Sequence, residues 1–123
     1  MLRIINELPD NVLGVSAEGK VTGTDYETIF IPALEEKLKS NNKINLLYQL
    51  GVNFYGFDLS AMLDDAKMGI NHLSSWGRIA LVSDHDMINT FAKFFGFLMT
   101  YEVRIFENAE FENAKEWISE KSN

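Results

Sequence analysis

Cysteine is absent from this 123-residue chain, and histidine is rare, with only His72 and His85 present. The first absence excludes disulfides, thiolate metal sites and a cysteine nucleophile, and the second leaves little material for a zinc or iron site. The N-terminal residues lack the long apolar segment of a signal peptide, and no apolar run is long enough to cross a bilayer. We therefore expect a cytoplasmic protein that holds no metal and no cofactor.

Positive charge is also in short supply, because 11 lysines and arginines face 18 aspartates and glutamates, for a net charge of −7. A chain of this charge is repelled by phosphate backbones unless its cations cluster, and they do not cluster in this sequence. The same sign argues against attraction to anionic lipid surfaces. We therefore predict no binding to nucleic acid.

Catalytic signatures are missing as well. The sequence contains no G-x-S-x-G elbow, no phosphate-binding Walker loop, no dinucleotide-binding glycine fingerprint and no H-E-x-x-H zinc motif. We interpret Asp64-Asp65 as part of a solvated helix face. In Asp84-His85-Asp86, we interpret Asp84 or Asp86 as the N-cap of the helix that follows. We predict no catalytic residue and a function other than catalysis.

The residues that are present alternate between short strands and amphipathic helices. With 46% hydrophobic and 24% charged residues, the composition is close to globular averages and fits one domain over residues 1–123. This alternation predicts an α/β fold with a mostly parallel sheet. The predicted strands are Leu2–Glu7, Val12–Ala17, Lys43–Leu50, Arg78–Ser83 and Tyr101–Phe106. The predicted helices after the first are Leu59–Leu73, Asp86–Met99 and Glu110–Glu120.

The first helix is predicted between the second and third strands. Thr24 and Glu27 have the spacing of a capping box, and apolar residues follow at helical spacing as far as Leu38. Pro32 lies inside this pattern, so we expect a kink or two short helices.

Aromatic residues are more numerous than one sheet face needs. Of the nine phenylalanines, two lie in the segment Asn53–Phe57 and four in Phe91–Phe97. Winding the helix Asp86–Met99 at about 100° per residue gives a broad apolar arc, with Phe97 on the opposite side. Either these side chains pack as ordinary core, or they frame an apolar cavity or contact surface. On the second interpretation, the predicted ligand-binding or partner-binding residues are Phe54, Tyr55, Phe57, Leu59, Met62, Phe91, Phe94, Phe95, Phe97 and Leu98.

Several short strings, in this order and spacing, resemble the SpoIIAA-like bacterial proteins, which are relatives in fold of STAS domains and of CRAL-TRIO lipid-carrier domains. The match covers nearly the whole chain. Its residues are Gly19-Lys20-Val21-Thr22 with Asp25-Tyr26, Ile31-Pro32-Ala33-Leu34-Glu35, Gly56-Phe57, Asp65 with Gly69 and His72, Trp76 to Asp84, Glu102 to Phe106, and Ala114 with Trp117.

The resemblance implies a five-stranded mixed sheet flanked by about four helices, with the first strand antiparallel to the others. STAS anti-sigma antagonists carry a phosphorylatable serine just after the third strand. Ser60 has roughly that place here, but the surrounding motif is absent, so we interpret Ser60 as a helix-start residue. The CRAL-TRIO relatives imply a hydrophobic molecule enclosed beneath mobile helices.

Two functions remain open from the sequence. The first is a carrier or sensor of small nonpolar, lipid-like molecules, with transient contact of the second and third helices with the inner membrane. The second is a STAS-like interaction module that binds a protein partner or a second copy of itself.

Overall fold

The computed structural model describes residues 1–58, 76–86, 88–90, 92–93 and 102–120. Within these residues the strands are β1 (Leu2–Ile4), β2 (Val12–Ala17), β3 (Lys20–Val21), β4 (Ile44–Leu50), β5 (Gly56–Phe57), β6 (Trp76–Val82) and β7 (Val103–Phe106). The helical segments are α1 (Gly23–Asp25), a π-helical turn (Tyr26–Phe30), α2 (Ile31–Leu38), a 3₁₀ turn (Asn108–Glu110) and α3 (Phe111–Ser119). Residues 88–90 and 92–93 are helical as well.

The main sheet has five strands in the order β1-β2-β4-β6-β7. β1 runs antiparallel to β2, and the other neighbours are parallel. The central strands are rich in valine, leucine and isoleucine, as expected of strands that have a layer of structure on both sides. The predicted α/β fold with a five-stranded mixed, mostly parallel sheet is therefore confirmed.

The ends of the elements differ from the predictions by a few residues. β1 stops at Ile4, because the chain turns before Glu7, which has a left-handed backbone with φ of 64°. β6 starts two residues early, at Trp76, and β7 starts two residues late, at Val103. The last helix is close to its predicted range. The predicted helix Leu59–Leu73 lies outside the described residues, and Asp86–Met99 is described only in part.

A second, two-stranded sheet was not predicted from the sequence. In it, β3 pairs in parallel with β5, and Val21 lies opposite Phe57. The turn between β2 and β3 depends on Gly19, which has a φ of 58° that other residues rarely adopt. Backbone bonds of 3.0 Å from the Gly19 amide to the Asn53 carbonyl, and from the Tyr55 amide to the Gly19 carbonyl, extend this pairing. The small sheet therefore fixes the loop after β4 against the turn after β2.

The cap of the first helix is Thr22 and not Thr24, so that prediction was wrong. The Thr22 hydroxyl accepts from the Asp25 amide at 3.2 Å, and the Asp25 carboxylate accepts from the Thr22 amide at 2.9 Å. Both threonines have an acidic residue three positions on, but Thr22 directly follows β3, where the extended backbone of a cap is already in place. Thr24 lies inside the helix, and its carbonyl accepts from the Thr28 hydroxyl.

Pro32 interrupts the helical hydrogen bonding in the way the sequence predicted. The helix widens into the π-helical turn Tyr26–Phe30, in which the Ile31 amide donates to the Tyr26 carbonyl, and α2 begins at Ile31. Proline has no amide hydrogen, so it is tolerated in the first turn of α2 and not in the interior of one long helix. Isolated π-helical turns are often found at functional sites.

The two faces of the main sheet have different neighbours. On the α3 face, Leu47, Ala80, Val82 and Phe106 pack against Ala114, Trp117 and Ile118 of α3. On the opposite face, which we name the cavity face, α2 and the π-helical turn pack over β2 and the near side of β4. Several described residues of this face in β4, β6 and β7 are only partly buried, among them Leu46, Tyr48 and Leu81.

Candidate ligand-binding site

A cavity of about 410 Å³ lies on the cavity face of the sheet. Its volume falls within the range of small-molecule sites, and such sites are mostly apolar with a few polar groups. The described residues that line it are Tyr26, Leu46, Tyr48, Leu50, Phe57, Ile79, Leu81, Ile88, Ala92 and Val103.

The floor of the cavity follows from the alternation of side chains along parallel strands. In β4, Leu46, Tyr48 and Leu50 point to the cavity face, while Asn45, Leu47 and Gln49 point to the other side. The register places Leu46 beside Ile79 and Tyr48 beside Leu81 in β6, and Ile79 beside Val103 in β7. Three neighbouring strands therefore contribute a continuous apolar surface.

The walls come from elements on three sides. The π-helical turn contributes Tyr26, and β5 of the small sheet contributes Phe57. Ile88 and Ala92 are four positions apart in the helical residues after β6, which is the spacing of one helix face. The cavity thus depends on both features that sequence reasoning did not place, the π-helical turn and the small sheet.

Among the described lining residues, two tyrosines supply the polar group. The hydroxyl oxygens of Tyr26 and Tyr48 lie 2.8 Å apart and share a hydrogen bond. Burial raises the pKa of Tyr48 far above its ordinary value, and the neighbouring Tyr26 and Asp25 raise it further. Tyr48 therefore remains a neutral phenol at any physiological pH.

The residues of the predicted aromatic cluster after β4 are divided between three environments. Phe57 lines the cavity, and Phe54 lies behind it, 4% exposed, with the two ring centroids 4.9 Å apart. Phe54 also meets the edge of the His85 ring at 5.4 Å. Tyr55 points away from the core and is 76% exposed. The other predicted binding residues and the candidate phosphorylation site lie outside the described residues: Leu59, Met62, Phe91, Phe94, Phe95, Phe97, Leu98 and Ser60.

Sequence reasoning missed the floor of the cavity because it treated every apolar strand position as core. One signal was available in β4, where Tyr48 lies between Leu46 and Leu50 on the same face of the strand. A tyrosine inside a buried strand needs a partner for its hydroxyl. That requirement points to a polar group, or to space, beside the strand.

Asp84 has a structural role that was not predicted. The Asp84 carboxylate accepts from the backbone amide of Asn108 at 3.0 Å and from its side-chain amide at 3.2 Å. This carboxylate therefore joins the ends of β6 and β7, and the N-cap at Asp84 or Asp86 stays a prediction. The His85 amide donates to the Ser83 hydroxyl. In the part of the chain that the structure describes, no three histidine, aspartate or glutamate residues are placed to hold a metal.

The same part of the chain has no helix that is both long and apolar enough to cross a bilayer.

Comparison with known proteins supports the fold. The family described as SpoIIAA-like matches residues 12–119 of this chain. A crystal structure of an uncharacterized protein from the DUF3478 family, with a SpoIIAA-like fold, from Shewanella loihica PV-4 is 24% identical, with a TM-score of 0.71. The similarity covers 96% of this chain and 92% of that one. No curated protein matches the chain.

Proposed function

Because the chain belongs to the SpoIIAA-like family, which has a STAS-like fold, we propose that it is a non-enzymatic binding domain whose ligand is a small nonpolar, lipid-like molecule. The observation that carries this proposal is the 410 Å³ cavity, whose described lining is aliphatic or aromatic. A nonpolar ligand gains free energy in such a site because its apolar surface leaves water, at about 25 cal/mol per Å².

The geometry supports binding better than it supports catalysis. The titratable groups among the described lining residues are the two tyrosines, and Tyr48 is held neutral. A reaction needs a nucleophile or a general acid and base with a pKa near the working pH. The proposed role is therefore to hold and release a molecule, as a carrier or a sensor.

Titration with Nile red, an uncharged dye that fluoresces in apolar sites, tests the proposal. We expect saturable binding to the wild-type chain. In the variant Ala92→Trp the added ring fills the cavity, and we expect at least tenfold weaker binding. Lys93→Trp adds the same ring at the next residue, which is exposed and outside the described lining, so its binding is expected to match the wild type. Equal binding by all three proteins would contradict the proposal.

Transient contact with a membrane surface is part of the same proposal, because a nonpolar ligand must leave one apolar environment to enter another. The net charge of −7 means that this contact depends on apolar area and not on attraction to anionic lipids. In vesicle flotation, we expect weak binding to zwitterionic phosphatidylcholine that does not increase with phosphatidylserine. Stronger binding to the anionic vesicles would contradict this mode of contact.

A regulatory protein-interaction module is the second candidate, and the loop after β4 favours it. Val52 is 83% exposed and Tyr55 76% exposed, although the same loop is held to the turn at Gly19 by backbone hydrogen bonds. Exposed apolar side chains on a fixed loop are typical of contact surfaces. If this loop forms a homodimer, light scattering will show a mass that rises with concentration, and Val52→Ser with Tyr55→Ser will abolish the rise. A constant monomer mass would exclude a homodimer through this loop.

A further inference from the structure

The polar side-chain atoms of the described cavity lining lie close together. Among the described lining residues, the polar side-chain atoms are the hydroxyl oxygens of Tyr26 and Tyr48, which lie 2.8 Å apart. The rest of that lining is aliphatic or phenylalanine. A polar atom of a ligand can therefore form a hydrogen bond with the tyrosine pair. The hydrocarbon part of the ligand can pack against the floor formed by β4, β6 and β7.

The Tyr48 hydroxyl has unused hydrogen-bonding capacity. A phenol can donate one hydrogen bond and accept two, and the bond to Tyr26 uses one of these three positions. A ligand hydroxyl or carbonyl oxygen at this point adds a second hydrogen bond to the Tyr48 hydroxyl, which lies beside apolar side chains. Tyr26 is held in place for this bond by its position at the start of the π-helical turn.

A carboxylate next to the pair already has its partners. Asp25 directly precedes Tyr26, its carboxylate accepts from the Thr22 amide at 2.9 Å and the Thr22 hydroxyl at 3.1 Å, and the N-terminal ammonium of Met1 lies 3.5 Å from it. Burial alone would raise the pKa of Asp25, but the Thr22 hydrogen bonds and the N-terminal ammonium lower it below its ordinary value, so the carboxylate stays charged. The described lining offers no lysine or arginine to balance a second carboxylate. An anionic head group buried there would have no cationic partner among the described lining residues, and burying a charge without a partner is strongly unfavourable.

We propose that the cavity selects an uncharged amphiphile, which places a hydroxyl or carbonyl oxygen at the Tyr26–Tyr48 pair and its hydrocarbon on the sheet, and that it discriminates against the carboxylate of the same length. This inference rests on the proposed function, because it names the class of ligand for the same cavity. It identifies fatty alcohols and simple ketones or esters as the chemical class, and it excludes ionised fatty acids.

Displacement of Nile red by decanol, decanoate and decane at neutral pH tests this selectivity on the wild-type chain. The three ligands share one chain length and differ at one end. We expect decanol to displace the dye at a concentration at least tenfold lower than decanoate, because decanoate must bury an unpaired charge. Decanoate that binds as well as decanol, or displacement by decane alone, would overturn the inference and leave the proposed function standing. If neither the dye nor any of the three ligands binds, both are overturned.

The variant Tyr48→Phe tests the position of the polar atom. It keeps the ring and removes the hydroxyl, so we expect roughly tenfold weaker binding of decanol and unchanged binding of decane. Tyr55→Phe removes the same hydroxyl from an exposed ring outside the described lining and is expected to leave both ligands unaffected. Unchanged decanol binding by Tyr48→Phe would overturn the assigned position. The wild-type selectivity measurement does not depend on how this variant folds.

Discussion

The two faces of the main sheet are built from the same strands, yet one is closed and the other has a cavity. On the α3 face the rings and aliphatic chains of the sheet and α3 pack together, and the Trp117 ring lies 5.0 Å from the guanidinium carbon of Arg78 and 5.6 Å from that of Arg104. On the cavity face, residues of β4, β6 and β7 line a cavity of about 410 Å³. One face therefore contributes stability through close packing, and the other gives up part of that packing for a site.

Buried polar groups also differ between the faces. On the α3 face, Asn45 is 8% exposed and its side chain donates to the Ile118 carbonyl and accepts from the Arg78 amide, so one side chain joins β4, β6 and α3. On the cavity face the hydroxyls of Tyr26 and Tyr48 share a hydrogen bond, and the Tyr48 hydroxyl retains capacity for another. Satisfied polar groups make a core specific, whereas a group with spare capacity suits a ligand.

We expect the largest difference in stability between variants of two adjacent leucines of β4. Leu47 is fully buried on the α3 face, and Leu46 lines the cavity. We expect Leu47→Ala to lower the free energy of unfolding by about 3–5 kcal/mol, because it leaves a new void in a closed core. Leu46→Ala enlarges an existing space and should cost about 2 kcal/mol or less. Urea denaturation measures both, and equal losses would mean that the two faces are equally well packed.

The next effect concerns Asn45. The variant Asn45→Ala leaves the Arg78 amide and the Ile118 carbonyl without their partner on the α3 face, so we expect a loss of about 2–3 kcal/mol in the free energy of unfolding. Gln49→Ala, in the same strand and on the same side, removes only a partly buried bond to Asn108 and should cost less than about 1 kcal/mol. A smaller loss for Asn45→Ala than for Gln49→Ala would show that the α3 face is not fixed by Asn45.

A smaller effect is expected at the cap of the helix that positions Tyr26. Thr22→Ala removes the capping bond to the Asp25 amide and should cost about 1 kcal/mol in thermal or urea unfolding. It should also weaken Nile red binding, because Tyr26 lies four residues after this cap. Thr24→Ala, inside the helix, is the matched control and should change the free energy of unfolding by less than about 0.5 kcal/mol. If the control costs more than Thr22→Ala, the capping assignment is wrong.

The smallest effect is a dependence of stability on pH. Burial opposes the charged form of Asp25, but the Thr22 hydrogen bonds and the nearby N-terminal ammonium together hold its folded pKa below the ordinary value of 3.8. The contribution of this carboxylate is complete above that value and is lost as the pH falls through the lower, folded pKa. We therefore expect the free energy of unfolding to fall with pH below 3.8, and to fall less steeply in Asp25→Asn. Identical slopes for the two proteins between pH 4 and pH 2 would contradict the depressed pKa.

The sequence predicted the sheet well because each central strand carries its own signal. Apolar runs such as Ile79 to Val82 define a buried parallel strand without reference to the rest of the chain, and the order of elements then limits the topology. The cap was misplaced because Thr22 and Thr24 have the same local pattern, and only the end of β3 distinguishes them. The local sequence pattern is therefore sufficient to predict helices and strands, and insufficient to predict where one ends and the next begins.

The candidate site was predicted only in part for a different reason. Phe57 was identified from its aromatic neighbours, but Tyr26 and Tyr48 are 22 residues apart and meet only in the folded chain, where their hydroxyls share a hydrogen bond. Whether an apolar strand face is covered or left open depends on which helix packs over it. That is a property of the tertiary arrangement and leaves no mark on the periodicity of the strand.

We propose that the cavity face, and not the α3 face, binds nonpolar molecules. Nuclear Overhauser effects between unlabelled decanol and the methyl groups of carbon-13-labelled protein test this proposal. We expect contacts to the methyl groups of Leu46, Leu81 and Val103, and none to those of Leu47 or Val82. Contacts confined to the α3 face, or no contacts at a saturating concentration of decanol, would contradict it.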